Sequence, residues 1–517
     1  MTFPRASGIL LYPTSLPGRF AIGDLGGEAY RFADFLIAAG QTLWQVLPLG
    51  STGYGGSPYA CYSAFAGNTL LISPAQLFEN GLISKSDLDN VPTFTEGSVD
   101  FEAAQRIKES ILAKACDSYQ NGGGAQLRGE FKSFVKENAS WLDDYALFRA
   151  LKRQRNETPW CEWEPELAQR NPTALECARK KLRDKIEAEK FFQFLFFKQW
   201  SLLKTYCNQR GIKIIGDIPM FVAHDSADVW TNRDQFKLNP DGTPAVVAGV
   251  PPDYFSETGQ YWGNPLFDWE RMRADGFRWW IERVRATLRT VDIARIDHFR
   301  GFVACWEIPG GDKTAERGRW VETPGRKLFD AIRSELGELP IFAEDLGVIT
   351  PEVEQLRDEC GFPGMRVLQF AFSGDSTNIH LPHNYPRNVV VYTGTHDNDT
   401  TVGWFHGVNT GSTTRSADEI ENERNYCLEY LNSDGTQINW DFIRAAFASV
   451  ANTAIVPLQD ALGLGSEARM NMPNTNVSNW RWRFTEGALS DSLAERLKHL
   501  AQSCERNAGS ALKDASN

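Results

Sequence analysis

No stretch of this chain approaches the roughly 18 uninterrupted apolar residues that a membrane-spanning helix needs. The opening Met1-Thr-Phe-Pro-Arg-Ala-Ser7 also lacks the apolar core of a secretory signal. A cytoplasmic protein is expected, or one of the plastid stroma if a transit peptide has been removed. Runs of Lys or Arg are missing too, and the formal net charge is −12. Because phosphate backbones and anionic lipid need a concentrated positive footprint, neither nucleic acid nor membrane is an expected partner. The nine Cys contain no C-x-x-C pair and are scattered from Cys61 to Cys504, which is no disulfide framework in a chain of 517 residues. Zinc-ligand spacing of His and Cys is absent, as is a D-x-D-x-D-G calcium loop, so no metal is expected. No G-x-G-x-x-G turn follows an early strand, which leaves a dinucleotide site unsupported.

What is present is an alternation of helical and strand-like segments. From Glu28 to Ala39 the residues Phe32, Phe35, Leu36 and Ala39 recur at helical spacing, and Gly40 supplies a stop. Thr42–Leu49 then reads as a strand, followed by a Gly- and Ser-rich loop from Gly50 to Tyr62 and an apolar run, Thr69–Ile72. Helical sequence fills residues 98 to 207, with one stripe of Phe101, Ala104, Ile107, Ile111 and Leu112 and another of Phe191, Phe194, Leu195 and Leu202. Further strand-like runs are Ile212–Ile215, Val291–Ile296, Ile341–Phe342, Met365–Phe370, Val389–Tyr392 and Ala454–Val456. This number of repeats predicts an α/β fold, a parallel sheet closed as a (β/α)8 TIM barrel. The expected organisation is one catalytic barrel over 1–517. It carries a largely helical insertion at about 74–207, a substrate-covering insertion at about 223–275, and no C-terminal β-sandwich, since Leu489–Leu512 is polar and helix-prone.

Three acids stand where apolar runs end: Asp297 in Ala294-Arg-Ile-Asp-His-Phe-Arg-Gly301, Glu344 in Phe342-Ala-Glu-Asp-Leu-Gly347, and Asp397 in Thr393-Gly-Thr-His-Asp-Asn-Asp399. Their intervals place them after the fourth, fifth and seventh barrel strands, on the face where barrel enzymes keep their chemistry. A single acid at a strand end is most often a cap or an ion-pair partner. Three in barrel phase suit glycosidic cleavage with retention, which takes two carboxyl groups about 5 to 5.5 Å apart. Arg295 precedes Asp297 by two and shares its side of an extended strand, so it can hold that carboxylate ionised and oriented as a nucleophile. Glu344 leaves an apolar run, where partial burial raises its pKa and fits it as general acid and base. His396 beside Asp397 is assigned a hydrogen bond to sugar. Sixteen Trp and a 12% aromatic content suit the apolar faces of pyranose rings. The segment Val250-Pro-Pro-Asp-Tyr-Phe-Ser-Glu-Thr-Gly-Gln-Tyr-Trp-Gly-Asn-Pro265 carries Tyr254, Phe255, Tyr261 and Trp262 in a Pro- and Gly-rich stretch and reads as a substrate-covering loop. Ser57 and Tyr59 are expected at the mouth of the first strand.

These segments resemble amylomaltase, the disproportionating enzyme or 4-α-glucanotransferase group that forms glycoside hydrolase family 77 of the α-amylase clan. The likeness runs through Gly8-Ile-Leu-Leu-Tyr-Pro-Thr-Ser-Leu-Pro-Gly18, Leu43-Trp-Gln-Val-Leu-Pro-Leu-Gly50, Gly216-Asp-Ile-Pro-Met-Phe-Val222, the 250–265 loop, Arg469-Met-Asn-Met-Pro473 and Asn479-Trp-Arg-Trp-Arg483, nearly the full length. The resemblance implies a retaining transferase acting between α-1,4-glucan donors and acceptors, maltooligosaccharides and glucose among them, with no metal or organic cofactor. It implies Asp297 as nucleophile, Glu344 as acid and base, and Asp397 as transition-state stabiliser, with Arg295 and His396 beside them. Asp217, Tyr59, Ser57, Gln260, Trp262 and Asn264 match sugar contacts, Tyr254 and Phe255 the aromatic lid tip, and Tyr54 a second glucan site. The chain departs from the family where Gly56 replaces an Asp, and where Asn474 and Ser478 replace Gly. Two other readings stay open: a hydrolase of the same clan, amylase or α-glucosidase, and a non-catalytic glucan-binding protein. A phosphorylase would need a pyridoxal phosphate lysine, for which no motif exists.

Overall fold

Val389–Tyr392, three Val and a Tyr, are all buried, the signature of a strand covered on both faces. The computed structural model describes residues 3–53, 56–252, 258–407, 416–473, 475 and 478–507. Within them the strands run β1 (Ala6–Leu10), β2 (Leu43–Gln45), β3 (Lys213–Ile218), β4 (Val246–Val250), β5 (Gln260–Pro265), β6 (Ile293–Ile296), β7 (Ala304–Pro309), β8 (Arg319–Glu322), β9 (Ile341–Ala343), β10 (Gly364–Val367), β11 (Val389–Tyr392) and β12 (Thr453–Pro457). Eight form a parallel sheet in the order β10-β11-β12-β1-β2-β3-β6-β9. That is chain order around a ring, the (β/α)8 barrel the alternation predicts. The ring joins at β9 and β10, where Ala343 N–H donates to Pro363 O at 2.8 Å and the Asp345 carboxylate accepts the Met365 N–H at 2.6 Å.

The strand expected to open the barrel is in fact the second. β1 lies ahead of it in the small-residue sequence Ala6-Ser-Gly-Ile-Leu10, where any side chain at Gly8 would collide with the Leu43 carbonyl at 2.3 Å. The Ser57 and Tyr59 loop therefore leaves the second strand. The apolar run after it, Thr69–Leu71, is a single 3-10 turn, and the run at Met365–Phe370 stops being strand at Val367.

Helices dominate the first insertion. Asp100 caps the helix Phe101–Gln120 by accepting from Ala103 N, and the buried face holds Ala104, Ile111 and Leu112 as the periodicity predicts. In the 27-residue helix Arg183–Gln209, Phe191, Phe194 and Leu195 are buried. Leu202, assigned to that stripe, is instead 51% exposed, and Leu203 one position on is buried. Two glutamines of this helix act as surrogate strand: Gln193 pairs with both backbone groups of Gly67 at 2.7 and 3.1 Å, and Gln199 with both of Ser73 at 2.7 and 3.2 Å. They fasten the segment that follows the Tyr59 loop.

The Pro- and Gly-rich 250–265 stretch is not simply a loop. Its ends are strands of a four-stranded antiparallel sheet, order β5-β4-β7-β8, irregular between Val247 and Gly249. β7 and β8 follow Asp297 in the chain, so this sheet is built from two separate excursions of the barrel. At the barrel's other end, Arg506 donates to the carbonyls of Ala6, Phe447, Ser449, Ala451 and Asn452 at 2.7 to 3.2 Å, and Arg5 shares three of those five. Among the described residues no helix is long and apolar enough to cross a membrane.

Candidate active site

The register of the barrel assembles the site. Asp217 on β3 is the direct partner of Arg295 on β6, so the two side chains share one face of the sheet. Arg295 Nη1 donates to Asp217 Oδ2 at 2.5 Å and its Nη2 to Asp297 Oδ1 at 2.7 Å. The last paired residues of β6 and β9 are Ile296 and Ala343, so Asp297 and Glu344 emerge side by side from strands about 4.8 Å apart. The side chain of Asp217 has no exposed surface, and its Oδ1 is buried without a hydrogen bond. Burial works against the Arg295 charge, but Asp217 and then Asp297 lift its pKa well above the ordinary guanidinium range. Burial raises the Asp217 carboxyl while Arg295 pulls the other way; with the guanidinium charged, the contact is an ion pair.

Glu344 is held at both oxygens. His298 N–H donates to Oε2 and Leu346 N–H to Oε1, each at 2.8 Å. These bonds favour the charged form, yet burial first, and the neighbouring charge of Asp297 second, push its pKa up to about 8. A carboxyl raised in this way, beside a second carboxyl bonded to a guanidinium, has the properties that an acid and a nucleophile need in glycosidic cleavage with retention.

The third acid stands on the loop after β11. Asn398 Oδ1 accepts from Thr395 N and Oγ1 at 2.9 and 2.8 Å, a turn that orients the next residues. The Asp397 side chain is 45% exposed, with Oδ2 3.4 Å from His396 Nε2. The His396 ring lies 5.3 Å from that of Tyr59 with planes 13° apart, and Trp480 sits at 5.9 Å from Tyr59 and 6.0 Å from His396. Tyr59 in turn donates its hydroxyl to Asp217 Oδ2 at 2.7 Å. A continuous path of contacts thus runs Asp397, His396, Tyr59, Asp217, Arg295, Asp297.

Other expected contacts sit as follows. Trp262, 36% exposed on β5, meets the His298 ring edge-on at 4.8 Å and donates to Gln260 Oε1 at 3.1 Å. Asn264 uses its amide nitrogen on Val222 O at 2.9 Å, and Ser57 Oγ accepts from Tyr59 N at 3.3 Å. Tyr54, Tyr254, Phe255 and Asn474 lie outside the described residues. Gly56 has φ +69, and a side chain there would meet the Phe101 ring at 2.9 Å. Ser478 has φ +65, the left-handed region that favours glycine. Sequence reasoning missed His298, Trp480, Arg469 and Asn471. Arg469 and Asn471 stand in the Arg469–Pro473 motif, twelve and fourteen residues beyond the end of β12 at Pro457, and the signal was that motif itself.

A family model described as 4-alpha-glucanotransferase matches residues 11–490. The chain belongs to the 4-alpha-glucanotransferase family, glycoside hydrolase family 77. A 4-alpha-glucanotransferase of Synechocystis sp. is 51% identical over 96% of this chain and 97% of its own, and one of Thermus thermophilus is 48% identical over 98% and 100%. Among solved structures, amylomaltase from Streptococcus agalactiae in complex with acarbose superposes with a TM-score of 0.92 at 39% identity, covering 97% of this chain and all of that one. Membership of this family makes the chain an enzyme, a 4-alpha-glucanotransferase.

Proposed function

We propose that this 4-alpha-glucanotransferase disproportionates α-1,4-glucans by double displacement on Asp297. In the first step the Asp297 carboxylate attacks the anomeric carbon of a donor glucan while Glu344 gives its proton to the departing 4-oxygen. A glucosyl ester on Asp297 and a shortened glucan result. In the second step the 4-hydroxyl of an acceptor loses its proton to Glu344 and attacks the same carbon, restoring the α-1,4 bond and freeing Asp297. Asp397 and His396 hydrogen-bond ring hydroxyls as the sugar flattens toward an oxocarbenium ion. Arg295 aims the nucleophile, and Tyr59 and Trp262 offer apolar faces to the pyranose rings. Transfer prevails where water is kept from the ester, and the β5 edge bearing Trp262 is the barrier assigned to that task.

The observation that carries this reading is the emergence of Asp297, bonded to Arg295, and Glu344, held at both oxygens by backbone N–H groups, side by side from neighbouring barrel strands. Incubation with maltotriose tests it. Maltotetraose and longer products together with glucose, all α-configured, are expected, and Asp297→Asn is expected to abolish them. Maltose and glucose without longer chains, or turnover surviving in Asp297→Asn, would overturn it.

A further inference from the structure

Asp397 is gripped from one side by a loop that belongs to neither the β6 nor the β9 end of the barrel. Beyond β12, Asn471 Nδ2 donates to Asp397 Oδ1 at 2.6 Å, and Arg469 Nη2 donates to the Asp397 backbone carbonyl at 2.7 Å. The loop is braced in turn: Arg469 Nε donates to Asn471 O at 2.8 Å, and Asn471 N–H donates to His396 O at 3.1 Å. The backbone of the His396–Asp397 pair is therefore tied to both Arg469 and Asn471, and the Asp397 side chain to Asn471.

We propose that Asn471 is a positioning residue for Asp397, a neutral donor that fixes Oδ1 so that Oδ2, beside His396, faces the sugar. The proposal rests on the assignment of Asp397 as transition-state stabiliser. Its chemical sense lies in the contrast with Asp297. The nucleophile is bonded to a guanidinium, whereas Asp397 must keep its full negative charge available to hydroxyls that polarise only as the sugar becomes cationic. An amide gives a short bond to a carboxylate without cancelling its charge. Here its nitrogen engages a single carboxylate oxygen, Oδ1. Among the described residues, the titratable or charged groups facing Asp397 are His396, at 3.4 Å, Arg469 through the backbone, and Tyr59, stacked on His396.

The test compares Asn471→Ala, Asn471→Asp and Asp397→Asn with wild type, using maltotriose across pH. For Asn471→Ala, kcat is expected to fall by about 100-fold at every pH with KM changed by less than about 3-fold, the pattern of a misaimed group acting in the transition state. For Asn471→Asp, two carboxyl groups at bonding distance share one proton. While that proton is kept, the new carboxyl donates to Asp397 as the amide did; once it is lost, donor and alignment go together. This variant is therefore expected to approach wild-type kcat at acid pH and to fall away as pH rises, on a limb below that of Glu344. Asn471→Ala and Asn471→Asp falling equally at all pH, or both matching wild type, would overturn the proposal. Full activity in Asp397→Asn would instead remove the stabiliser assignment beneath it. Thermal melts of each variant identify loss through unfolding, and the acid-side recovery of Asn471→Asp is read within a single protein.

Discussion

The backbone N–H of His298, one residue after Asp297, donates to Glu344 Oε2 at 2.8 Å. One turn therefore orients both carboxyl groups, because the peptide that follows Asp297 also holds Glu344. The arrangement requires His298 to sit at φ +51, in the left-handed region.

Under the proposed mechanism Glu344 is expected to set the basic limb of activity. Its pKa, raised to about 8, leaves it protonated at neutrality, so kcat/KM for maltotriose is expected to fall as pH rises through about 8. Glu344→Gln should lose about 100- to 10,000-fold in rate and show no such limb. A carboxyl whose folded pKa is raised contributes stability while protonated, and that contribution is lost as pH climbs toward about 8. Glu344→Gln should thus melt higher than wild type near pH 9, with the difference shrinking toward pH 5. A constant difference across that range would contradict the assignment.

Removing Arg295 exposes the cost of two neighbouring acids. Arg295→Ala leaves Asp217, whose side chain is fully buried, and Asp297 without their shared cation. Destabilisation of about 3 to 5 kcal/mol is expected for an uncompensated buried charge. Urea titration measures it, and adding Asp217→Asn should recover part of the loss.

Trp262→Ala should raise the ratio of hydrolysis to transfer. The ring packs edge-on against His298, the neighbour of Asp297, and under the proposed mechanism its loss is expected to admit water to the glucosyl ester. Glucose and reducing ends released from maltotriose, set against maltotetraose formed, give the ratio. An unchanged ratio would take that role from β5.

Ser478→Gly should stabilise the fold by about 1 kcal/mol, because a non-glycine residue at φ +65 pays for its Cβ. Ser478 is exposed and the change touches no core. A denaturant midpoint that moves the other way would show a lost contact.

The three acids were legible because each ends an apolar run, and the parallel ladder turns that position into a shared mouth. β11 was legible for a similar reason, since three Val in succession suit a fully covered strand. β1 was not, because its Ala, Ser and Gly are dictated by the close approach of β2, a constraint visible only once the two strands lie together. Leu202 and Leu203 both fit an apolar stripe to within one position, and packing chose between them. The antiparallel sheet was hidden because it joins chain on both sides of Asp297. Asn471 was hidden because its partner lies 74 residues away.

Arg5 and Arg506 grip a common set of carbonyls beside the start of β1 and β12, the rim opposite the acids. Both ends of the described polypeptide are thus moored at the rim away from Asp297, Glu344 and Asp397. Because Arg506 joins the Ala6 carbonyl of β1 to the turn that leads into β12, the seam between the first and last strands is closed by a side chain as well as by its ladder, so loosening that one guanidinium would unfasten the barrel where its two chain ends meet.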